Sequence, residues 1–256
     1  MSEPLTLLSI DGPVARLTLN RPERHNSLVP ALIDSLLDNL DRIAAEAKIL
    51  VLQAAGRSFS TGGDVAGFLA VDRGRRAEYA AQLVGGLNQA ILKLLDLTIP
   101  VIGRIHGPVT GGSLGFLLAC DLAAITPNAF IQPYYTAVGF SPDGGWTALL
   151  PARIGAAKAR EIQLLNRRIT AAEAVRLGLA TTLVEPENLD ETIAQWVAAL
   201  LDKRPQAMCR TKKLLSSPER RVAVVEGLEA EKLSFIEQID SEEAQAGMAR
   251  FLAKSA

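Results

Sequence analysis

The sequence predicts an α/β chain whose strands are joined by helical crossovers and whose last third is helical. Three observations carry this reading. Short apolar or alternating runs take turns with amphipathic stretches up to about Pro186. Two glycine-rich turns, within 56–64 and 106–115, each follow a predicted strand. Beyond Pro186 only helical spacing remains.

Val14 to Asn20 alternates apolar and polar residues, as a half-buried strand does, and Arg21-Pro22 closes it. From Pro30 to Ala45, Leu32, Ile33, Leu36, Leu37, Leu40 and Ile43 recur at three- and four-residue spacing, the stripe of an amphipathic helix. Ile49 to Ala54 is a short apolar run and reads as a buried strand. Arg75 to Leu97 is helical, with Leu83, Leu87, Ile91 and Leu94 on one face, and is expected to wall a ligand pocket. Pro100 to Ile105 returns to strand. Gly107 to Gly115 leads into an apolar helix over Phe116–Ala123. Thr192–Leu201, Pro205–Leu215 and Glu219–Ala253 read as helices, the last with an apolar stripe that fits either its own core or another subunit.

Composition narrows the function classes. With 256 residues, 48% of them hydrophobic, the chain buries a large core in one domain, or in a domain with a helical appendage. Lys plus Arg number 27 against 28 Asp plus Glu, so no overall field favours nucleic acid or an acidic membrane surface. Cys120 and Cys209 are far apart and lack a second pair, which points to no disulfide framework or zinc site and to a reducing cytoplasm. The opening MSEPLTLLSIDG lacks the features of a secretory signal. The most apolar run, Val109 to Ile125, is broken by glycines and Asp121 and reads as a buried turn and helix, not a membrane span.

The two glycine turns are the candidate functional elements. Glycine lets a ligand approach backbone amides closely, and a helix that starts after such a turn aims free N–H groups at negative charge. Two turns together could form an oxyanion hole, although a single glycine turn can equally be a plain change of chain direction.

At these turns the chain resembles the crotonase (enoyl-CoA hydratase/isomerase) family. Phe59-Ser60-Thr61-Gly62-Gly63-Asp64 is similar to the family's F-S-A-G-A-D turn, and His106-Gly107 through Cys120-Asp121 to its N-G-x-x-x-G-G-G-x-x-L-x-x-x-C-D segment. Asn20-Arg21-Pro22 through Asn26-Ser27-Leu28 resembles N-R-P-x-x-x-N-A-L, and Leu150-Pro151-Ala152-Arg153-Ile154-Gly155 resembles L-P-R-x-x-G. Ile169 through Ala180 looks like I-x-A-x-E-A-x-x-x-G-L-V, and Ser241 through Gly247 with Phe251 and Lys254 looks like the closing S-x-D-x-x-E-G…F-x-x-K. These motifs run in family order along nearly the whole chain.

The resemblance implies a spiral of ββα units over 1–195 that binds acyl-CoA, and a helical region over 196–256 that builds a homotrimer or hexamer. It implies the backbone amides of Gly63 and Gly112 as oxyanion donors, glycine replacing the family's commoner alanine at 63. Arg24, Ser60, Gly62, Gly63 and Asp64 are the expected contacts for the coenzyme A part, with a surface role open for Arg24. Coenzyme A arrives within the substrate, so no separate cofactor or metal is implied.

The family's hydratases use two glutamates, and here those positions hold Gly115 and Tyr135. Adding water across a double bond asks for a base and a proton donor, and both are missing at the expected places. Asp143, in Gly139-Phe140-Ser141-Pro142-Asp143-Gly144-Gly145-Trp146-Thr147, sits where isomerases that move a β,γ double bond into conjugation keep an acid. Chlorobenzoyl-CoA dehalogenases keep a nucleophilic aspartate there. Their histidine base aligns with Asn88 and their tryptophan with Tyr135, which reads as lying on a strand and could hydrogen-bond Asp143. Pro-Asp-Gly-Gly is also a plain turn sequence, so a structural role for Asp143 stays open.

The expected activity is enoyl-CoA isomerisation, with Asp143, Gly63, Gly112 and Tyr135 at the reacting centre. The alternatives are hydration by a non-standard acid and base, a dehalogenase- or hydrolase-like use of Asp143 as nucleophile, and a non-catalytic acyl-CoA binder. Gly111-Gly112-Ser113-Leu114-Gly115 also matches G-x-S-x-G, but His25 and His106 both precede Ser113, against the order a serine hydrolase needs. No G-x-G-x-x-G follows the first strand, which argues against a nucleotide-dependent dehydrogenase.

Overall fold

The computed structural model describes residues 3–255, without the side chains of 44–46 and 254–255. Met1 and Ser2 of the opening segment, and the Lys254 side chain of the closing motif, lie outside the described residues.

The chain begins with a hairpin. β1 (Thr6–Asp11) pairs antiparallel with β2 (Val14–Leu19), with Asp11 opposite Val14. The two-residue loop between them places Gly12 at φ 53°, the left-handed conformation such loops require. The sequence reading missed β1, because Leu7 faces solvent and spoils the alternation. After β2 come α1 (Pro30–Glu46), β3 (Ile49–Ala54), α2 (Val65–Ala70), α3 (Arg73–Asp96) and β4 (Val101–Ile105). They are followed by β5 (Val109–Thr110), α4 (Leu114–Leu118), β6 (Leu122–Ile125), β7 (Phe130–Gln132) and α5 (Tyr135–Val138).

The order continues with α6 (Leu150–Ile154), α7 (Ala156–Leu164), β8 (Ile169–Thr170), α8 (Ala171–Arg176) and β9 (Thr182–Leu183). Four helices close the chain: α9 (Leu189–Leu201), α10 (Pro205–Leu215), α11 (Pro218–Ile239) and α12 (Glu242–Ser255).

One sheet runs β1-β2-β3-β4-β6-β9 and is parallel after the opening hairpin. β3 shows why its sequence is continuously apolar. Leu50 and Leu52 enter the main core with α1 and α3, while Ile49 and Val51 face the other way onto Leu189 and Ile193 of α9. A second sheet, β5-β7-β8, stands beside the first. Bridges between Ser60 and Val109 and between Leu28 and Gly63 extend this second layer. Each turn of the chain thus lays one segment in the large sheet and the next in the small one, which makes the spiral expected from the sequence.

Four expectations need correction. The helix over Phe116–Ala123 ends at Leu118, and Leu122 and Ala123 belong to β6. Asp121 forces the change: its N–H donates to the Val101 carbonyl at 2.8 Å, and its carboxylate accepts the Val101 N–H at 2.7 Å, which ties the chain to the β4 edge. The helix over Glu219–Ala253 is two helices. Asp240 and Ser241 interrupt it, with Ser241 Oγ accepting the Ala244 N–H at 3.0 Å as an N-cap. Tyr135 opens α5 instead of sitting on a strand. Finally, α3 backs the ligand cleft described below without lining it.

The expected dividing line between 195 and 196 falls inside α9. The apolar stripe of the last helices, Leu228, Phe235, Ile239 and Met248, is buried in the chain's own core.

Candidate active site

The first glycine turn is braced by the segment before α1. His25 and Asn26 both adopt φ 53°, a conformation unusual outside glycine but tolerated by these two residue types. Asn26 justifies the strain: its Nδ2 donates to the carbonyls of Ala55 (2.8 Å) and Ser58 (2.9 Å), and its Oδ1 accepts the Arg21 N–H (2.8 Å). Arg21 in turn pairs with Asp64 at 2.9 Å. Asp64 caps α2 by accepting the Gly67 N–H. Burial pushes the Asp64 carboxyl up, but the Arg21 hydrogen bond, the Gly67 amide and the charges of Arg21 and Arg24 outweigh it and hold the group below its usual range.

The geometry of Gly63 follows from its bridge. The Leu28 N–H donates to Gly62 and the Asp64 N–H donates to Leu28, so the N–H of Gly63 itself points to the opposite side. Gly112 is the second residue of a single 3₁₀ turn, Gly111–Ser113, where N–H groups have no intrahelical acceptor. The two turns touch. A Cβ on Gly62, which has φ 75°, would stand 2.6 Å from the Thr110 carbonyl and 3.3 Å from the Gly112 nitrogen, so only glycine allows this approach. Ser113 Oγ lies between them, 3.0 Å from the Ser60 carbonyl and 2.8 Å from that of Thr110. Fully buried, it knits the turns together, which removes the serine-hydrolase reading.

The Asp143 loop is laid onto the second turn. Trp146, fully buried, donates its Nε1–H to the Gly111 carbonyl at 2.7 Å. A Cβ on Gly144 would lie 2.3 Å from the Gly112 carbonyl oxygen, so the loop backbone rests directly on Gly112. Asp143 Oδ1 is close enough to Gly112 that a Cβ there would come within 2.7 Å of it. The Tyr135 hydroxyl donates to that same Oδ1 at 2.5 Å and lies 3.1 Å from the Asp143 carbonyl. Behind the loop, the buried Glu231 of α11 accepts bonds from the N–H groups of Gly145 (2.8 Å), Thr147 (2.6 Å) and Ala148 (2.9 Å) and from Thr147 Oγ1 (2.7 Å).

Asp143 is only 8% exposed. Burial pushes its carboxyl up to about 7, with the Tyr135 hydrogen bond opposing and the Glu231 charge adding to the rise. Tyr135 is pushed well above the usual phenol range, first by burial and then by the Asp143 charge, so it stays a hydrogen-bond donor.

A cleft of about 620 Å³ runs over both turns. Gly63, Gly112, Asp143 and Tyr135 line it together, beside the apolar side chains of Phe68, Val138, Phe140 and Phe235. Phe68, Phe140 and Phe235 form a ring cluster with centroids 5.1–5.8 Å apart. Of the residues expected at the coenzyme A part, Arg24, Gly63 and Asp64 line the cleft. Ser60 and Gly62 sit behind it: Ser60 Oγ donates to the Asn26 carbonyl at 2.8 Å, and Gly62 packs on the second turn. Arg24, half exposed at the mouth, reaches Asp64 at 3.3 Å. Asn88 lies away from the cleft, its Nδ2 donating to the Leu228 carbonyl at 2.8 Å.

The sequence reading did not place Phe235, Phe251 and Leu252 at the cleft, since it assigned the apolar stripe of these helices to the chain's own core or to another subunit. Large apolar residues inside the charged C-terminal helices were the available signal. At Gly115 the space is filled: a Cβ would meet Ile91 Cδ1 at 2.2 Å and the Gly144 carbonyl at 2.7 Å. Among the described residues no group of three or more His, Cys, Asp or Glu could hold a metal ion, and no helix is long and apolar enough to cross a membrane.

Two sheets wound in alternation and closed by C-terminal helices, with two apposed glycine turns under an apolar cleft, define a crotonase-fold enzyme. The enoyl-CoA hydratase from Bacillus halodurans matches with a TM-score of 0.88 over 96% of this chain and 99% of that one, at 24% identity. The enoyl-CoA hydratase/isomerase from Pseudoalteromonas atlantica T6c matches with 0.85 over 98% of both, at 27% identity. Residues 9–256 match the enoyl-CoA hydratase/isomerase family, and the chain belongs to it.

Similar proteins include a probable enoyl-CoA hydratase of Mycobacterium bovis, 35% identical over 198 residues, which cover 72% of this chain and 68% of that protein. Another is the peroxisomal Delta(3,5)-Delta(2,4)-dienoyl-CoA isomerase of Arabidopsis thaliana, 29% identical over 235 residues, which cover 86% of this chain and 82% of that protein. The family implies an acyl-CoA substrate and includes both hydratase and isomerase names.

Proposed function

We propose that this enzyme is an enoyl-CoA isomerase that shifts a β,γ double bond into conjugation with the thioester. The observation that carries the proposal is the placement of Asp143, buried in the cleft against Gly112 and aligned by Tyr135, while position 115 has neither a carboxylate nor room for one. The other acids on the cleft are Glu23 and Asp64, and Asp64 is paired with Arg21 and Arg24.

Asp143 removes a proton from the α carbon. The C–H electron pair forms a double bond between the α carbon and the carbonyl carbon, and the carbonyl π pair moves onto the thioester oxygen, whose negative charge the amides of Gly63 and Gly112 hold. Each such donor contributes roughly 3 kcal/mol in a site that excludes water. The protonated Asp143 then returns its proton at the γ carbon, leaving the double bond between α and β. A carboxyl near 7 suits both halves, since it takes and gives the proton at comparable cost. The Tyr135 hydrogen bond holds Oδ1 and so fixes the carboxylate in the cleft for the transfer.

Hydration is the competing reading, because relatives carry hydratase names. It needs a second acid or base that the cleft lacks at the expected places. Asp143→Asn is expected to lower isomerisation of a β,γ-enoyl-CoA at least ~100-fold with little change in substrate affinity. Wild-type hydration of an α,β-enoyl-CoA is expected to be slow or absent. Both rates are read from the absorbance of the conjugated thioester. Efficient hydration, or full isomerase activity in a folded Asp143→Asn variant, overturns the proposal, and binding without turnover would make the chain an acyl-CoA binder.

A further inference from the structure

Glu231 is 4% exposed and sits on α11, a helix otherwise engaged in packing on α3, yet it points its carboxylate at the backbone of a distant loop. Its Oε1 accepts the Thr147 N–H, the Ala148 N–H and Thr147 Oγ1–H, and its Oε2 accepts the Gly145 N–H. All four partners are donors, a set that only an ionised carboxylate can satisfy in full. Its helical neighbours Glu229 and Lys232 pair with each other at 2.7 Å and make no contribution to the loop. Core packing alone would be served by an apolar residue here, because a buried charge carries a desolvation cost that hydrogen bonds only offset.

The loop it fastens is the one that carries Asp143. Gly144 and Gly145 have φ 63° and 88°, left-handed conformations, and the backbone beside Asp143 has no regular secondary structure of its own. Trp146 and Gly144 fix the loop to the second turn and Tyr135 holds the carboxylate, while Glu231 is the acceptor for the N–H groups of Gly145, Thr147 and Ala148; proton transfer falls off steeply when the base is misplaced.

We infer that Glu231 is a positioning residue: it clamps residues 145–148 so that Asp143 stays seated against Gly112. The inference rests on Asp143 being the proton-transferring group. Tyr135 from α5 and Glu231 from α11 are the ionisable groups that act on Asp143, and they act in opposite senses: the Tyr135 hydrogen bond favours the ionised form and the Glu231 charge disfavours it.

The test uses the full-length protein and Glu231→Gln, which removes the charge and replaces one acceptor oxygen with a donor. The Asp143 carboxyl is followed by carbon-13 NMR with labelled aspartate, its signal identified by its loss in Asp143→Asn. The titration midpoint of Asp143 is expected to fall in Glu231→Gln, and the pH profile of isomerisation to move to lower pH with it. At the pH optimum kcat is expected to drop about 10- to 100-fold with KM within about 2-fold, the pattern of a displaced base and not of lost binding. An unmoved midpoint or an unmoved kcat overturns the inference.

Should the variant not fold, hydrogen exchange in the wild type decides. The amides of Gly145, Thr147 and Ala148 are expected among the slowly exchanging set, and exchange at the rate of a free loop overturns the clamp. Absence of isomerase activity in the wild type would sink the isomerase reading alone, since the Asp143 titration and the amide exchange report on Glu231 without turnover.

Discussion

Asp143 is a carboxylic acid held in conditions that oppose its ionisation. Its carboxyl stands at about 7 in the folded protein against an ordinary 3.8, so between these values the folded chain keeps a proton that the unfolded chain has released. The contribution of this residue to stability therefore falls as pH rises through that window and stays lost above it. Two measurements follow. Isomerisation is expected to rise with pH to a plateau above about 7, because the base must be ionised. Asp143→Asn is expected to match the wild type in stability at about pH 4 and to exceed it at about pH 8 by at most roughly 4 kcal/mol, seen as a higher melting temperature there. A gap in melting temperature that does not widen with pH would show that Asp143 titrates as an ordinary surface carboxylate.

At the scale of elements, three backbone pieces from distant parts of the chain meet at one point: the turn at Gly62–Gly63, the turn at Gly111–Gly112 and the loop at Asp143–Gly145. Gly144 is the tightest of these contacts, since a side chain would collide with the Gly112 backbone, which cannot give way without moving the proposed oxyanion donor. Gly144→Ala is expected to leave a folded protein with isomerase activity down about 100-fold, as a misplacement of the base near 1 Å would cause. Substrate affinity that collapses while kcat holds would instead mean that the loop serves binding.

The turns themselves were legible in the sequence, because a cluster of glycines directly after a strand marks a place where backbone must bend sharply or be approached closely. So were the crossover helices and the buried strands, whose apolar spacing follows directly from which faces are covered. What α11 and α12 bring to the cleft was not legible. The spacing of Leu228, Phe235 and Ile239 says that one face of α11 is apolar, but the same spacing fits packing on the chain's own core or on another subunit. Glu231 sits among Ala230 and Lys232 with nothing to mark it, and its role depends on donors more than eighty residues earlier, the nearest being Ala148. The small strands β5, β8 and β9 are two residues each, too short for periodicity to register.

For the whole molecule, the core is shared: the terminal helices bury their apolar stripe against the spiral and help wall the cleft, so the region expected to build assemblies also completes the proposed site. Large apolar side chains nevertheless remain exposed at Leu164, Leu165, Leu214, Leu215, Val222 and Leu233. A homotrimer or hexamer is what the family resemblance implies, and these side chains are candidates for its contacts. Mass measurement in solution at micromolar concentration is expected to return a multiple of three chains, and a stable monomer would refute the assembly.

The filled space at Gly115 bears on how such an enzyme can change over generations. The absent hydratase carboxylate is more than a missing group, because Ile91 and the Gly144 carbonyl occupy the volume a side chain would need. A glutamate introduced at that one position meets a wall before it meets a substrate. The path to it would have to shrink residue 91 and shift the Asp143 loop first, and shifting that loop disturbs the arrangement the present chemistry depends on. Packing of this kind acts as a ratchet: with neighbours closed over a position, an activity that needs a side chain there is hard to introduce one substitution at a time.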